Sequence, residues 1–237
     1  MTPASGIKVE VLETADAVAK KAATIITQEA RVAVAARRRF VMAVSGGHTP
    51  WLMLRALATL EMPWRELDIF QVDERVAPRN DPDRNLTHLQ KSLLDQSPLS
   101  AAQIHAMSVE SSDLEAAAAG YAATLRQLLG APPLLDLVHL GLGPDGHTAS
   151  LVPGDPVIAV RDADVAVTGL YQGRRRMTLT YPILNRARRI LWVVTGEEKA
   201  PALRQLIDGD SSIPAGHVRR DSALVVADKA AAAKLAA

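Results

Sequence analysis

Short apolar runs alternate with longer amphipathic stretches along nearly all 237 residues, and this alternation constrains the fold more than any other feature. Ile7–Leu12, Phe40–Val44, Leu67–Val72, Leu134–Leu140, Ala163–Leu170, Met177–Thr180, Ile190–Thr195 and Ala223–Ala227 have the length and patterning of strands. Between them, Ala15–Arg39, Trp51–Leu60, Leu86–Leu94, Asp113–Leu129, Glu197–Ile207 and the Ala-rich tail have helical spacing. Thr14 is placed to cap the first helix, and Arg37-Arg38-Arg39 suits its C-terminus. Thr49 is expected to cap the second, with Pro50 in its first turn. Strands and helices alternating over most of the chain imply a mostly parallel sheet with helices on both faces. No repeat or linker divides the chain, so residues 1–237 are expected to form one domain.

Hydrophobic residues make up 48% of the chain, enough to offset chain entropy and exclude a disordered protein. No run approaches the roughly 18 apolar residues of a membrane span, and no apolar leader follows Met1. A soluble cytoplasmic protein is the expectation. The formal charge is +1, from 27 Lys and Arg against 26 Asp and Glu, which disfavours a polyanionic partner. Locally the balance differs: Arg161 to Arg189 holds seven arginines against Asp162 and Asp164. With no cysteine there is no disulfide, no thiol nucleophile and no cysteine-held metal. Histidines 48, 88, 105, 139, 147 and 217 lack metal-ligand spacing, and there is no G-x-S-x-G elbow.

In open α/β sheets ligands bind beyond the carboxyl ends of strands, so the loops there carry the chemistry. Ser45-Gly46-Gly47-His48-Thr49-Pro50 joins a strand to a helix. Its glycines admit close backbone approach, and a helix N-terminus favours an anion, with Ser45 and Thr49 hydroxyls as further donors; a tight turn with an N-cap is the plainer alternative. Gln71 to Asn85 sets Asp73, Glu74 and Arg75 at a strand end, where an arginine fork suits phosphate and a solvated salt-bridged loop is the alternative. Gly141, Gly143 and Gly146 fit G-x-G-x-x-G, yet Pro153, Gly154 and Pro156 deny that loop the helix a dinucleotide site needs. The same loop puts Asp145 two residues before His147, a carboxylate able to fix the tautomer of a base, although a loop histidine without a role is the common case. Arg174-Arg175-Arg176 lack the interleaved aromatics of a single-strand platform; one arginine entering an anion pocket fits better. Lys199, after Thr195-Gly196, is placed to serve phosphate as a point charge, or is simply exposed.

Together, Ser45-Gly46-Gly47-x-Thr49-Pro50, Asp73-Glu74-Arg75, the run Gly141 to Gly154 with Asp145-Gly146-His147-Thr148-Ala149-Ser150-Leu151, and Arg176-x-Thr178-Leu179-Thr180 resemble the 6-phosphogluconolactonase family. The resemblance covers essentially the whole chain. It implies hydrolysis of 6-phospho-D-glucono-1,5-lactone to 6-phosphogluconate, the second step of the oxidative pentose phosphate pathway. It also implies a single three-layer Rossmann-like α/β domain, as in glucosamine-6-phosphate deaminase, ribose-5-phosphate isomerase and coenzyme A transferases. No metal and no organic cofactor are implied. His147 would be the base that activates water, with Asp145 and Asp73 orienting it or the sugar hydroxyls. Ser45, Gly46, Gly47, Thr49, Arg75, Arg176 and Lys199 would hold the 6-phosphate. The expected partner is a small sugar-phosphate lactone, with no nucleic acid and no membrane, bound by a monomer or at most a weak dimer. The sequence departs from the family pattern at Arg84, commonly serine, at Val152, commonly phenylalanine, and at Tyr171–Arg175, where the family has a Pro-rich stretch. A deaminase or isomerase would follow the histidine with Ile-Ala-Phe-Asn-Glu-Pro, but Thr148–Pro153 contains no glutamate. A non-catalytic sugar-phosphate sensor is the other alternative.

Overall fold

The computed structural model describes residues 7–235. The N-terminal hexapeptide, on which part of the leader reading falls, and the last two alanines of the expected tail helix lie outside the described residues.

Seven strands form one parallel sheet: β1 (Lys8–Leu12), β2 (Phe40–Val44), β3 (Leu67–Gln71), β5 (Ile104–His105), β6 (Leu137–Leu140), β9 (Arg189–Val194) and β10 (Ala223–Asp228). Their spatial order is β1-β10-β9-β6-β2-β3-β5, and every pairing is parallel. Three short strands, β4 (Asp73–Arg75), β7 (Val165–Val167) and β8 (Arg176–Leu179), form a separate antiparallel sheet in the order β4-β8-β7.

The central strands are apolar on both faces because both faces are covered. Phe40, Met42 and Val44 join a core with α1 (Ala15–Arg37), α2 (His48–Ala58) and α3 (Asn85–Ser92). Val41 and Ala43 point the other way, to a core with α4 (Leu114–Leu129), α5 (Tyr181–Arg186), α6 (Ala200–Asp208) and the small sheet. Leu191 and Val193 against Ile190, Trp192 and Val194 repeat this division, as the two-residue period of a strand requires. The result is three layers, as the alternation implies. Among the described residues no helix is long and apolar enough to cross a membrane.

Several boundaries differ from the sequence expectation. Thr14 does cap α1, accepting from the Ala17 amide at 3.2 Å. Thr49, however, is not the cap of α2: the helix opens at His48 on Gly47, which has φ 127°. Proline is tolerated anywhere in a first turn, so Pro50 permits the earlier start. Asp73–Arg75 is a strand rather than loop, because Glu74 and its neighbours pair with β8. Lys199 closes a 3-10 turn, Glu197–Lys199, ahead of α6 instead of lying within one long helix. The tail from Lys229 is a series of turns, with the Ala231 amide bonded to the Asp228 carboxylate at 2.8 Å. A segment this short has too few repeating bonds to sustain a helix, whatever its alanine content. β5 and α5 carry no strong periodic signal and are legible only in the structure.

Candidate active site

β2 and β6 pair in parallel at Met42–Leu137 and Ala43–Val138, and on either side of them successive strands are added in opposite senses across the sheet. Open α/β sheets form a crevice at such a point, beyond the strand carboxyl ends. A cavity of about 510 Å³ lies there. It is walled by the loops after β2, β6, β9 and β10 and by side chains of the small sheet. Ser45, Gly46, Gly47, Thr49, Asp73, Arg75, His147, Arg176 and Lys199, drawn from five separate segments, all line it.

On one wall, the loop after β6 folds tightly, the Gly143 amide donating to the His147 carbonyl at 2.8 Å. Asp145 stands behind His147, its Oδ1 2.6 Å from the ring Nδ1 and 3.1 Å from the backbone amide. A carboxylate accepts, so Nδ1 carries the proton, and Nε2 has no protein partner among the described residues. Burial alone would raise the Asp145 pKa, but the His147 charge and the hydrogen bonds from His147 and Tyr171 hold it below the usual carboxylate range. A Cβ on residue 143 would lie 2.0 Å from His147 Nδ1, so only glycine allows this pair. The loop is stitched to the small sheet where the Ser150 amide donates to Thr178 Oγ1 at 3.1 Å.

Asp73 sits deeper and does not touch His147. Its carboxylate accepts from Ser150 Oγ at 2.6 Å and from Asn85 Nδ2 at 3.2 Å. Neighbouring Glu74 is fully buried and receives the Asn85 and Leu86 amides at 2.7 and 2.8 Å, which caps α3. It also pairs with buried Arg84, which reaches on to Glu110. This cluster fixes the loop that carries Asn85, whose Oδ1 accepts from Arg75 Nη1 at 2.7 Å. Gly46 is needed beneath it, because a Cβ there would come within 1.9 Å of Asn85 Oδ1.

On the cationic wall, the three successive arginines separate. Arg174 pairs with Asp81 and Asp83, and Arg175 with Glu115. Only Arg176 enters the cavity. It is buried, its Nη2 donates to Gln172 Oε1 at 3.1 Å, its Nε has no partner, and no carboxylate lies within salt-bridge distance among the described residues. Burial pulls its pKa down, Asp73 opposes that, and Arg75 adds to it. A guanidinium keeps its charge regardless, so this end of the cavity is short of an anion. Lys199, its amine 3.9 Å from the nearest Glu198 carboxylate oxygen, adds a third cation.

Two predicted donors are turned partly into the protein. Ser45 Oγ donates to the His139 carbonyl at 3.0 Å, and the Ser45 amide donates to His139 Nδ1 at 3.3 Å. Burial drives the His139 pKa down to about 3, so this imidazole is a neutral prop for the loop. Thr49 Oγ1 shares a short hydrogen bond with Thr195 Oγ1 across the cavity floor. Asp228, whose carboxylate accepts from the Gly196 amide at 3.1 Å, lines the cavity too and was not predicted; an acid ending an apolar strand is its only sequence signal. Among the described residues no group of three or more His, Cys, Asp or Glu side chains is placed to hold a metal ion.

Residues 13–226 match the family described as glucosamine-6-phosphate isomerases/6-phosphogluconolactonase. The chain belongs to this family. Within it, a 6-phosphogluconolactonase of Synechocystis sp. is 37% identical over 203 residues, covering 84% of each chain. The solved structure of a 6-phosphogluconolactonase from Shewanella baltica superimposes with TM-score 0.84 at 26% identity, covering 94% of this chain and 98% of its own. A monomeric glucosamine-6-phosphate deaminase superimposes equally well, TM-score 0.84 at 20% identity over 96% of this chain and all of its own, so the family's fold alone does not select the reaction. In this chain the run after Asp145-Gly146-His147 is Thr148-Ala149-Ser150-Leu151-Val152-Pro153, with no glutamate.

Proposed function

We propose that the protein hydrolyses 6-phospho-D-glucono-1,5-lactone to 6-phospho-D-gluconate, with His147 as the general base. The observation that carries this reading is a single cavity holding both a carboxylate-oriented histidine and a buried, anion-deficient arginine. A lactone is an activated ester and needs no covalent intermediate. In this reading His147 Nε2 takes a proton from water, whose oxygen bonds to the C1 carbonyl carbon. The tetrahedral oxyanion then collapses, the C1–ring oxygen bond breaks, and the imidazolium returns the proton to the departing ring oxygen. The new carboxylic acid releases its proton to solvent. General-base assistance of this kind contributes about 10²–10⁴-fold.

The remote phosphate supplies the binding energy that positions C1 against the water. Arg176, Arg75 and Lys199 are its proposed cationic partners. The amides leading into α2 and those of its first turn have no intrahelical acceptor, so Gly46, Gly47 and Thr49 offer further donors. Asp73, already bound by Ser150 and Asn85, is proposed to orient a sugar hydroxyl rather than His147. The protein is proposed to act on its own, as a cytoplasmic carboxylic ester hydrolase without metal or organic cofactor.

The test generates the lactone in situ with a glucose-6-phosphate dehydrogenase and follows its disappearance. Wild-type protein is expected to outrun spontaneous hydrolysis, and His147→Ala to lose nearly all of that acceleration. Spontaneous-rate decay in the presence of wild-type protein that still binds 6-phosphogluconate would identify a sugar-phosphate sensor instead.

A further inference from the structure

The turn between β7 and β8 brings one side chain against both ends of the site. Tyr171 and Arg174 exchange backbone hydrogen bonds, 3.0 Å from the Tyr171 amide and 3.2 Å from the Arg174 amide. Between them Gln172 and Gly173 have φ 52° and 78°, the two left-handed residues of a tight hairpin turn. Arg174 anchors the far side of that turn through Asp81 and Asp83. Tyr171 is thereby fixed over the cavity loop. Its hydroxyl donates to Asp145 Oδ2 at 3.2 Å, and its ring meets the His147 ring edge-on, centroids 5.6 Å apart at 64°. The Arg176 guanidinium carbon lies 4.8 Å from the centre of the same ring. This tyrosine falls in the stretch where the sequence departs from its family's pattern.

We propose that Tyr171 is a positioning residue serving both halves of the reaction. Its hydroxyl pins the Asp145 carboxylate so that Oδ1 stays on His147, and its ring face holds Arg176 toward the phosphate. The inference rests on the lactonase reading above. Asp145 is solvent-exposed, and a carboxylate held through one oxygen alone swings about its terminal torsion. The Tyr171 bond to Oδ2 removes that freedom. On the other side, Arg176 has one side-chain acceptor, Gln172, and the aromatic face takes up part of its remaining charge. Tyr171, on the β7–β8 turn, faces Asp145 and His147 from the β6 loop and Arg176 from β8, with Asp73 and Arg75 of β4 behind Arg176. Burial first, then the Asp145 charge, keeps the phenol protonated above its usual range, so it remains a donor throughout the working pH.

Two variants separate the roles. Tyr171→Phe keeps the ring and loses the hydroxyl. It is expected to leave KM unchanged and lower kcat about 5-fold, the scale of one ordinary hydrogen bond. Freed of its second anchor, Asp145 would hold Oδ1 on the His147 Nδ1 proton for less of the time, so the acid limb of the kcat/KM profile should move to lower pH. Tyr171→Leu removes the ring too and should add a rise in KM of about 5–10-fold, comparable to a lost cation–π contact. Melting temperatures of both variants check that the fold persists, with Tyr171→Phe the variant that keeps the ring's packing. A Phe variant with wild-type kcat and an unmoved acid limb overturns the hydroxyl's role, and a Leu variant with wild-type KM overturns the ring's. If wild-type protein shows no lactone hydrolysis, the lactonase reading itself fails and takes this inference with it.

Discussion

Asp145 and His147 show how a loop two residues deep creates a directed base. The carboxylate at Nδ1 leaves the lone pair of Nε2 facing the cavity, and it stabilises the imidazolium that forms during water activation. Asp145→Asn should therefore lower kcat by about 10²–10⁴-fold and move the acid limb of kcat/KM to lower pH, the direction of Tyr171→Phe carried further. The lowered Asp145 pKa also has a stability consequence of fixed sign. A carboxyl held below its unfolded value stabilises the fold above that value, about 3.9, and the contribution disappears as pH falls through the folded value. Denaturant melts of wild type and Asp145→Asn should differ near pH 6 and converge in the acid range below about pH 4. Arg176 illustrates the opposite problem, a charge without a counterion. The arginine surplus between Arg161 and Arg189 is visible in sequence, but its resolution is not. Arg174, Arg175, Arg186, Arg188 and Arg189 each find a carboxylate contributed by Asp81 and Asp83, Glu115, Asp164, Asp136 or Glu29. Most of those partners lie far away in the chain, so no local reading could subtract them. Arg176→Ala is expected to raise KM about 10–100-fold, the scale of a charge-assisted bond, with a smaller change in kcat.

At the level of elements, β4 and the start of α3 depend on a carboxylate that never meets the cavity. Glu74 holds the Asn85 and Leu86 amides, the Gln71 side chain and Arg84 together. Arg84→Ala leaves that buried charge short of its counterion and should destabilise the protein by about 3 kcal/mol, read as a shift of the denaturant midpoint at constant slope. KM should rise in the same variant, because Arg75 and Asn85 ride on this loop. Gly143→Ala should abolish activity with less effect on the melting temperature, since its Cβ strikes the His147 and Asp145 side chains rather than the core. Helices with a clear polar cap and a long apolar face were legible to within a residue or two: α1 stops at Arg37 because Arg38 turns left-handed, and Asp113 caps α4 instead of opening it. So were the strands buried on both faces. The opening of α2 was not, because Pro50 fits any position in a first turn and Thr49 spends its hydroxyl on Thr195. The tail misled because alanine content signals propensity without the length to use it. β5 and β4 were invisible as strands because two or three residues carry no period, and each exists only by virtue of a partner elsewhere.

For the molecule as a whole, three layers bring five segments of unlike composition to one crevice, and the sequence located four of them by the strands preceding them. It did not show that Asp73 would be occupied by Ser150 and Asn85, a contact between β4 and the β6 loop that depends on the small antiparallel sheet. If the cationic wall selects phosphate, 6-phosphogluconate at 100 times its Kd should stabilise the protein by about 2.7 kcal/mol. That is about 5–10 °C in Tm for a chain of this size, and unphosphorylated gluconate at the same concentration should give no shift. The reversal of strand order between β2 and β6 carries one more consequence, for a chain still being synthesised. Ala43 on β2 waits for Val138 on β6 before the two strands can pair beneath the crevice loops, and the last wall arrives with Asp228 on β10. A nascent chain whose β10 is still hidden in the ribosome therefore lacks that wall, and the crevice takes its full shape only once Asp228 has emerged.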